Sequence, residues 1–306
     1  MQLQLKLLYN ILGGLNMRHE VLVPLGMERQ EKPYEELGLS NYFIFGKVMK
    51  DKNLCKQMLE CLTGRLIDDV TEITIEDSTK ITYDSKDIRY DVYVEDLNGN
   101  VYDAEMQNYR SGIREQLPFR SRFYQGIIDF SALEHGMPYS TLKDSYVIFI
   151  CTFDPFKRGK GCYYFSNICH DEPTLSLNDG RAILFFNTKG DFSNLPDAAR
   201  DFLNYLETGN VDGVFSQQLD SAVEFARHNR KWRAEYMKTL VYNNDIRNEG
   251  REEGRIEGRI EGRNEGAIAL VHTLRKLNIP DSVILENLIT EFHFNEKEAK
   301  GIINIA

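Results

Sequence analysis

A mixed β-sheet covered by helices, an α/β or α+β fold, is what this sequence predicts, on three observations. A helical stretch, three strand-like runs, a second helix and a further strand follow one another in that order. Asn98-Gly99 stands between two runs of strand-forming residues, a strong short-range hairpin signal. Tyr146 to Phe153 is one continuous apolar run rich in β-branched and aromatic residues, the pattern of a strand covered on both faces.

From Ser40 to Leu62 the residues Phe43, Phe45, Val48, Met49, Leu54, Met58, Leu59 and Leu62 recur mostly at three- and four-residue spacing, which predicts amphipathic helix with a break near Asp51 and a stop at Gly64. Val70 to Glu76, Ile88 to Glu95 and Val101 to Gln107 are strand-like. Leu117 to Leu133 is a helix whose Phe119, Phe123, Ile127 and Phe130 are expected to face the core, with Pro138 as its stop. After the Tyr146 strand, Tyr163 to Phe165 and Ala182 to Asn187 are further strands. Helices are expected around Pro196 to Leu206 and from about Val214 to Val241.

Near Glu249 the composition changes to a period of four, EGRE EGRI EGRI EGRN EG. On a helix this makes a row of Glu (253, 257, 261, 265), a row of Arg (251, 255, 259, 263) and a row of Gly (250, 254, 258, 262, 266). Each charged row repels itself, and five interior glycines cost about 5 kcal/mol relative to alanine. Two readings stand side by side. In one, a partner helix approaches along the glycines with Glu facing Arg, giving a homo-oligomer. In the other, the segment is a solvated, partly helical linker. Beyond it, Leu270, Leu274, Leu277, Ile284, Leu285, Leu288, Ile289 and Phe292 are expected to form the core of a small helical unit, with Pro280 at a helix start.

A 306-residue chain with 42% hydrophobic and 27% charged residues is an ordinary folded protein, and its net charge of −10 excludes function through a uniformly basic surface. No run approaches the roughly 18 apolar residues of a membrane-spanning helix. The odd count of five cysteines fits reduced thiols and a cytoplasmic location, and Cys162 with Cys169-His170 lacks the paired spacing of a zinc site. The apolar stretch Leu3 to Leu15 is interrupted and has no small-residue cleavage site. An extra or disordered N-terminus is therefore expected, with translation starting at Met1, Met17 or Met27. No Walker-type glycine loop occurs, so no nucleotide cofactor is expected.

The chemistry concentrates in the hairpin. Alternation places Asp103, Glu105 and Gln107 on one face of their strand. Where Asp91 falls depends on the turn. A two-residue loop pairs it with Met106 and sends it to the opposite face from Glu105, whereas a three-residue loop with a left-handed Gly99 pairs it with Glu105. Two facing carboxylates repel unless a cation lies between them, and Mg²⁺ suits such a pair because it takes one or two carboxylates and keeps waters for other ligands. Downstream, Arg110, Arg114, Arg120 and Arg122 against Glu115, and then Lys157, Arg158 and Lys160, form a local basic surplus suited to a polyanion. A second basic patch, Arg227 to Arg233 around Trp232, is either a nucleic-acid contact or, as its helical spacing favours, a solvated helix face with the indole in the core.

Five ordered segments carry a family resemblance: Leu39 to Met49, Lys86 to Val94 (KDIRYDVYV), Tyr102 to Gln107 (YDAEMQ), Arg120 to Gln125 and Tyr146 to Phe156. In these, from Tyr34 to about Gly190, the chain resembles the PD-(D/E)XK nuclease family transposases, the group that includes the recombination-promoting nucleases. The resemblance implies a restriction-endonuclease-like core and metal-dependent hydrolysis of phosphodiester bonds, DNA first and RNA not excluded, in recombination or mobile elements. It implies Asp91 and Glu105 as metal ligands for Mg²⁺, or Mn²⁺ in its place, with the Met106 backbone carbonyl. Gln107 takes the place of the motif's lysine, and Arg110, Arg120, Arg122, Tyr124 and Gln125 are candidate phosphate contacts. At Asn41-Tyr42 this chain lacks the acidic residues that members commonly carry there. The alternative function is accordingly a catalytically inactive nuclease fold serving as an oligomeric interaction module. The expected organisation is an extension over 1–33, a nuclease-like domain over 34–210, a helical connector over 211–248, the repeat over 249–266 and a helical unit over 267–306.

Overall fold

The structure, a computed structural model, describes residues 32–79, 88–133 and 135–306. The expectations for the N-terminal extension and start codon, and the Lys86-Asp87 portion of the matching segments, lie outside the described residues. After a single 3-10 turn at Tyr34–Glu36, helix α1 (Tyr42–Val48) is capped by the Asn41 side chain, which accepts from the amides of Phe43 and Ile44. Helix α2 (Lys52–Thr63) is capped by Asp51 and ends at a left-handed Gly64, so the break near Asp51 is a cap between two helices. Then come β1 (Val70–Thr79), β2 (Ile88–Asp96), β3 (Val101–Gln107), α3 (Ile113–Ala132), β4 (Ser145–Cys151), β5 (Cys162–Phe165) and β6 (Arg181–Asn187). The strands form one mixed sheet in the order β1-β2-β3-β4-β6-β5, with β3, β4 and β6 parallel and the other pairs antiparallel.

The central strands bury both faces, which is why Tyr146 to Cys151 shows no polar alternation. One face, with Tyr102, Ala104, Met106, Ile148 and Ile150, packs under α1 and α2, and under α4 (Asp197–Thr208) and α5 (Val214–His228). The other, with Val147, Phe149 and Phe185, packs under α3. Helix α3 does so with a stripe that shares only Ile127 with the one expected. Ile113, Leu117, Ser121, Tyr124, Ile127 and Ile128 are buried, while Phe119 (65%), Phe123 (39%) and Phe130 (66%) are exposed. Both stripes satisfy a helical period. The sheet selects the one that packs on Val147, Phe149 and Phe185; within it Ser121 Oγ bonds the Pro118 carbonyl of its own helix and Gln125 Nε2 reaches Ser145.

The expected boundary at 210 falls inside this body. Phe215, Leu219, Val223 and Ala226 of α5 and Tyr236 of α6 (Arg230–Lys276) belong to the same core as α1, and the Tyr34 hydroxyl bonds the Ala226 carbonyl at 2.9 Å. The expected helix from Val214 is two helices, because Asn229 leaves helical backbone and caps α6. Trp232 is half-buried against the core, and Arg227 and Arg233 are engaged by Glu224 and Glu35. Helix α6 then runs without interruption through the period-four repeat. Among its glycines, a side chain at 250, 254, 258 or 262 would meet nothing, whereas one at Gly266 would touch Phe292. Beyond it, α7 (Asp281–Phe292) and α8 (Glu296–Ile305) close a separate small core of Ala267, Val271, Ile284, Leu288, Phe294, Ala299 and Ile303. Leu277 and Ile289, expected inside, are exposed; Phe294 and α8 supply the burial instead. No helix among the described residues is long and apolar enough to cross a membrane.

The β2–β3 turn takes the three-residue form, with Gly99 at φ +78°, the Asp96 amide donating to the Asn100 carbonyl and the Gly99 amide to the Asp96 carbonyl. The Asp96 carboxylate, itself buried, accepts from the backbone amides of Asn98 and Asn100, the Asn100 side chain and the Tyr102 hydroxyl. Replacing Asp96 with Ala orphans these donors. The expected loss is about 2–4 kcal/mol of unfolding free energy, read from the urea midpoint.

Candidate active site

The register set by this turn pairs Glu95 with Val101, Val94 with Tyr102, Tyr93 with Asp103 and Val92 with Ala104. The next pair in that register is Asp91 with Glu105. There the regular ladder stops and side chains take over its bonds. The Asp91 amide donates to Glu105 Oε1 at 3.0 Å, and the Met106 amide donates to Asp91 Oδ2 at 2.9 Å. Both carboxylates therefore sit in the gap where β2 parts from β3. In a strand the N–H and C=O of one residue point to the same edge, so the Met106 carbonyl opens into that gap as well.

Helix α3 brings a cation to the carboxylates. Arg120 donates to Glu105 Oε2 at 3.1 Å, to Gln107 Oε1 at 2.8 Å and to the Tyr124 hydroxyl at 2.9 Å, and its guanidinium lies over the rings of Tyr124 and Phe149. Gln107 Nε2 lies 3.4 Å from Glu105 Oε2. One turn of helix separates Arg120 from Tyr124, which is the spacing needed for both to reach the same strand end.

Burial dominates the electrostatics. Glu105 is 1% exposed and its pKa is pushed well up by that burial and by the charges of Asp91 and Asp103, against the pull of the Asp91 amide and Arg120. Asp103, with no exposed surface, is raised for the same reasons, burial first and Asp91 second, and neither of its oxygens has a hydrogen-bond partner of ordinary geometry. The Tyr124 hydroxyl is raised to about 12 by burial and by Glu105. Three acidic groups around one buried gap, partly balanced by one arginine, form a region whose charge a hard cation would relieve. Among the described residues no three His, Cys, Asp or Glu side chains are grouped to hold an ion on their own. The donor set is two carboxylates and a carbonyl, all oxygen, which fits Mg²⁺ or Mn²⁺ retaining several waters.

Residues 42–189 match the family model described as PD-(D/E)XK nuclease family transposase. This segment belongs to that family. The mixed sheet with helices on both faces agrees with the family's restriction-endonuclease-like α/β fold. No curated protein and no solved structure matched the chain.

Within the nuclease domain the residues singled out from the sequence separate into two groups. Asp91, Glu105, Met106, Gln107, Arg120 and Tyr124 converge on the gap. Arg122 and Gln125 do not. Gln125 is buried towards Ser145, at the opposite end of the parallel strands, and with Arg122 it lines a separate surface pocket beside Phe165 and Arg181. A helix places residues two and five positions beyond Arg120 well away from its direction, so sequence proximity to the site misleads there. Arg110 is exposed in the loop between β3 and α3.

Two further residues escaped the sequence reading as site residues. Asp103 was placed on the correct face, but its burial was not visible. Asp154 organises the basic loop after β4: its carboxylate accepts from the amides of Phe156, Lys157 and Gly159 and from the Tyr163 hydroxyl, and its carbonyl accepts from Arg114. An Asp-Pro-x-x-x-Gly loop signal was present for it. On the other side of the gap, Asn108 bonds the Ser40 carbonyl, so Asn41 stands near the site while its side chain caps α1.

The raised Asp103 pKa has a testable consequence for stability. A carboxyl held neutral by burial favours folding below its unfolded pKa, and that advantage is lost as pH rises towards the folded value. The urea midpoint of Asp103→Asn is therefore expected to exceed that of the wild type by more near pH 8 than near pH 5, in EDTA.

Proposed function

We propose that this protein is a metal-dependent endonuclease that hydrolyses phosphodiester bonds in DNA, acting in the cytoplasm in recombination or mobile-element processes. The observation that carries this reading is the placement of the Asp91 and Glu105 carboxylates in one gap, at the point where β2 leaves β3, with Arg120 beside them. Asp91, Glu105 and the Met106 carbonyl would hold Mg²⁺ or Mn²⁺. Such an ion supplies a water of lowered pKa and charge neutralisation on a phosphate oxygen.

The chain's own groups do the positioning. Gln107 has an amide that donates and accepts, so it orients a nucleophilic water by hydrogen bonds, where a lysine would add charge. Arg120 is held by Gln107 and Tyr124 with its face against Phe149, so its planar fork is already directed when it turns from Glu105 to a phosphate. Lys157, Arg158 and Lys160, on the loop that Asp154 fixes, extend the positive surface for the backbone of the substrate. With a chain charge of −10, this local surplus is what admits a polyanion.

Self-association through 249–266 belongs to the same proposal. The glycines at 250, 254, 258 and 262 leave a bare track on α6, with Ile256 and Ile260 half-exposed beside it and Glu252 paired to Arg255 within the helix. A second helix packed there would offset the cost of the glycines.

Purified protein is expected to nick plasmid DNA with Mg²⁺ or Mn²⁺ and not with EDTA. Asp91→Ala and Glu105→Gln should each lower the rate by more than about a hundredfold, as loss of several kcal/mol of charge stabilisation requires. Mg²⁺ should also raise the thermal midpoint of the wild type and leave that of Glu105→Gln unmoved. A folded protein that neither cleaves DNA or RNA nor responds to metal would instead support the interaction module, with Asn41 committed to capping a helix where members carry an acid.

A further inference from the structure

The outer face of α3 is a seam that its own sheet leaves unused. Gln116, Phe119, Phe123, Gly126, Phe130 and Leu133 follow one another at steps of three and four, a heptad pattern maintained along the helix and its C-cap. The three phenyl rings are 65%, 39% and 66% exposed, and Gly126 between them has nothing within 4 Å of where a side chain would begin. Glu115, Arg122 and Asp129 lie one residue before Gln116, Phe123 and Phe130, so they form a charged flank along one side of the seam. The other flank, at Arg120 and Ile127, is turned into the protein's own site and core.

We infer that a second copy of this chain docks here, α3 against α3 and antiparallel about a two-fold axis. The seam is complementary to itself in that arrangement. Opposing residues in an antiparallel pair have numbers of constant sum. Seating Phe123 on the Gly126 of the second copy also seats Phe119 on Phe130 and Gln116 on Leu133, so a ring fills each hollow. The charged flanks then meet with Arg122 of one copy beside Asp129 of the other, twice, once on each side of the axis. In that register no like charges are brought together along the flank.

A parallel pair does not achieve this. It stacks Phe123 on Phe123 and leaves a void between the two glycines. An unrelated apolar partner would not need the matched bump, notch and opposite charges on one helix, and an isologous contact does need them, because the same patch must serve both sides. In a single copy the Arg122 guanidinium lies 5.9 Å from the Phe119 ring, and it has only to extend along the seam to reach a second copy. This interface is independent of the nuclease reading and of the period-four repeat.

The test is sedimentation equilibrium of the full chain. Gly126→Leu adds a side chain that its own fold has room for and replaces an interior glycine with a good helix former, so the thermal midpoint should hold or rise. Between copies the same leucine collides with Phe123, and the dimer dissociation constant should rise at least about tenfold. Arg122→Asp and Asp129→Arg should each weaken association, and the two together should restore it to within about threefold of the wild type. A wild type that stays monomeric, an unchanged constant for Gly126→Leu, or a charge swap no better than its single changes overturns the inference. A self-association that persists unaltered in all these variants belongs to another surface and overturns it equally.

Discussion

The β2–β3 turn is the constraint on which the site depends. One carboxylate, Asp96, gathers the loop amides, the Asn100 side chain and the Tyr102 hydroxyl, and Gly99 takes the left-handed conformation that the third loop residue needs. A turn one residue shorter would slip every pair along the hairpin and carry Asp91 to the face opposite Glu105. Gly99 also passes close to Lys143, so a side chain there would be crowded as well as strained. The chemistry at Glu105 is in this sense decided at a turn several residues away.

The geometry so fixed is costly. Asp91, Asp103 and Glu105 share a region of low dielectric, and burial raises the pKa of the last two. Arg120 balances part of that charge, and it can do so because α3 turns a polar edge, Arg120 and Tyr124, towards the strand ends while its apolar residues lie on the sheet behind. Such a concentration of like charge contributes nothing to folding, and sites that bind cations are where it is expected. Helix α3 consequently has three environments around its circumference: the core, the charged gap and the aromatic seam that faces outward.

In the C-terminal half, local preference and observed structure disagree. Five glycines in a helix of 47 residues oppose the helical state, and among them Gly266 alone lies against another element, at Phe292. The helix is anchored at its two ends, by Tyr236 in the nuclease core and by Ala267 and Val271 in the small core of α7 and α8. The stretch between depends on neighbouring turns for its continuity.

Much of the fold was legible locally. Hydrophobic period, the caps at Asp51 and Gly64, the Asn-Gly turn and the apolar run of β4 encode elements through short-range sterics and hydrogen bonding, and the five matching segments carried the family. The sequence also limited the hairpin to two registers and put Asp103, Glu105 and Gln107 on one face. What it left open required distant groups. The loop length was settled by the grip of Asp96 on residues up to Tyr102, and the buried stripe of α3 by its packing on Val147, Phe149 and Phe185 of the sheet. The membership of α5 in the core was settled by contacts between Tyr34 and Ala226, 192 positions apart. Period and propensity act over a few residues and are the same for either stripe or either register. The choice between them is made by long-range packing and by the cost of an unpartnered buried polar group, which exist only once the chain has folded.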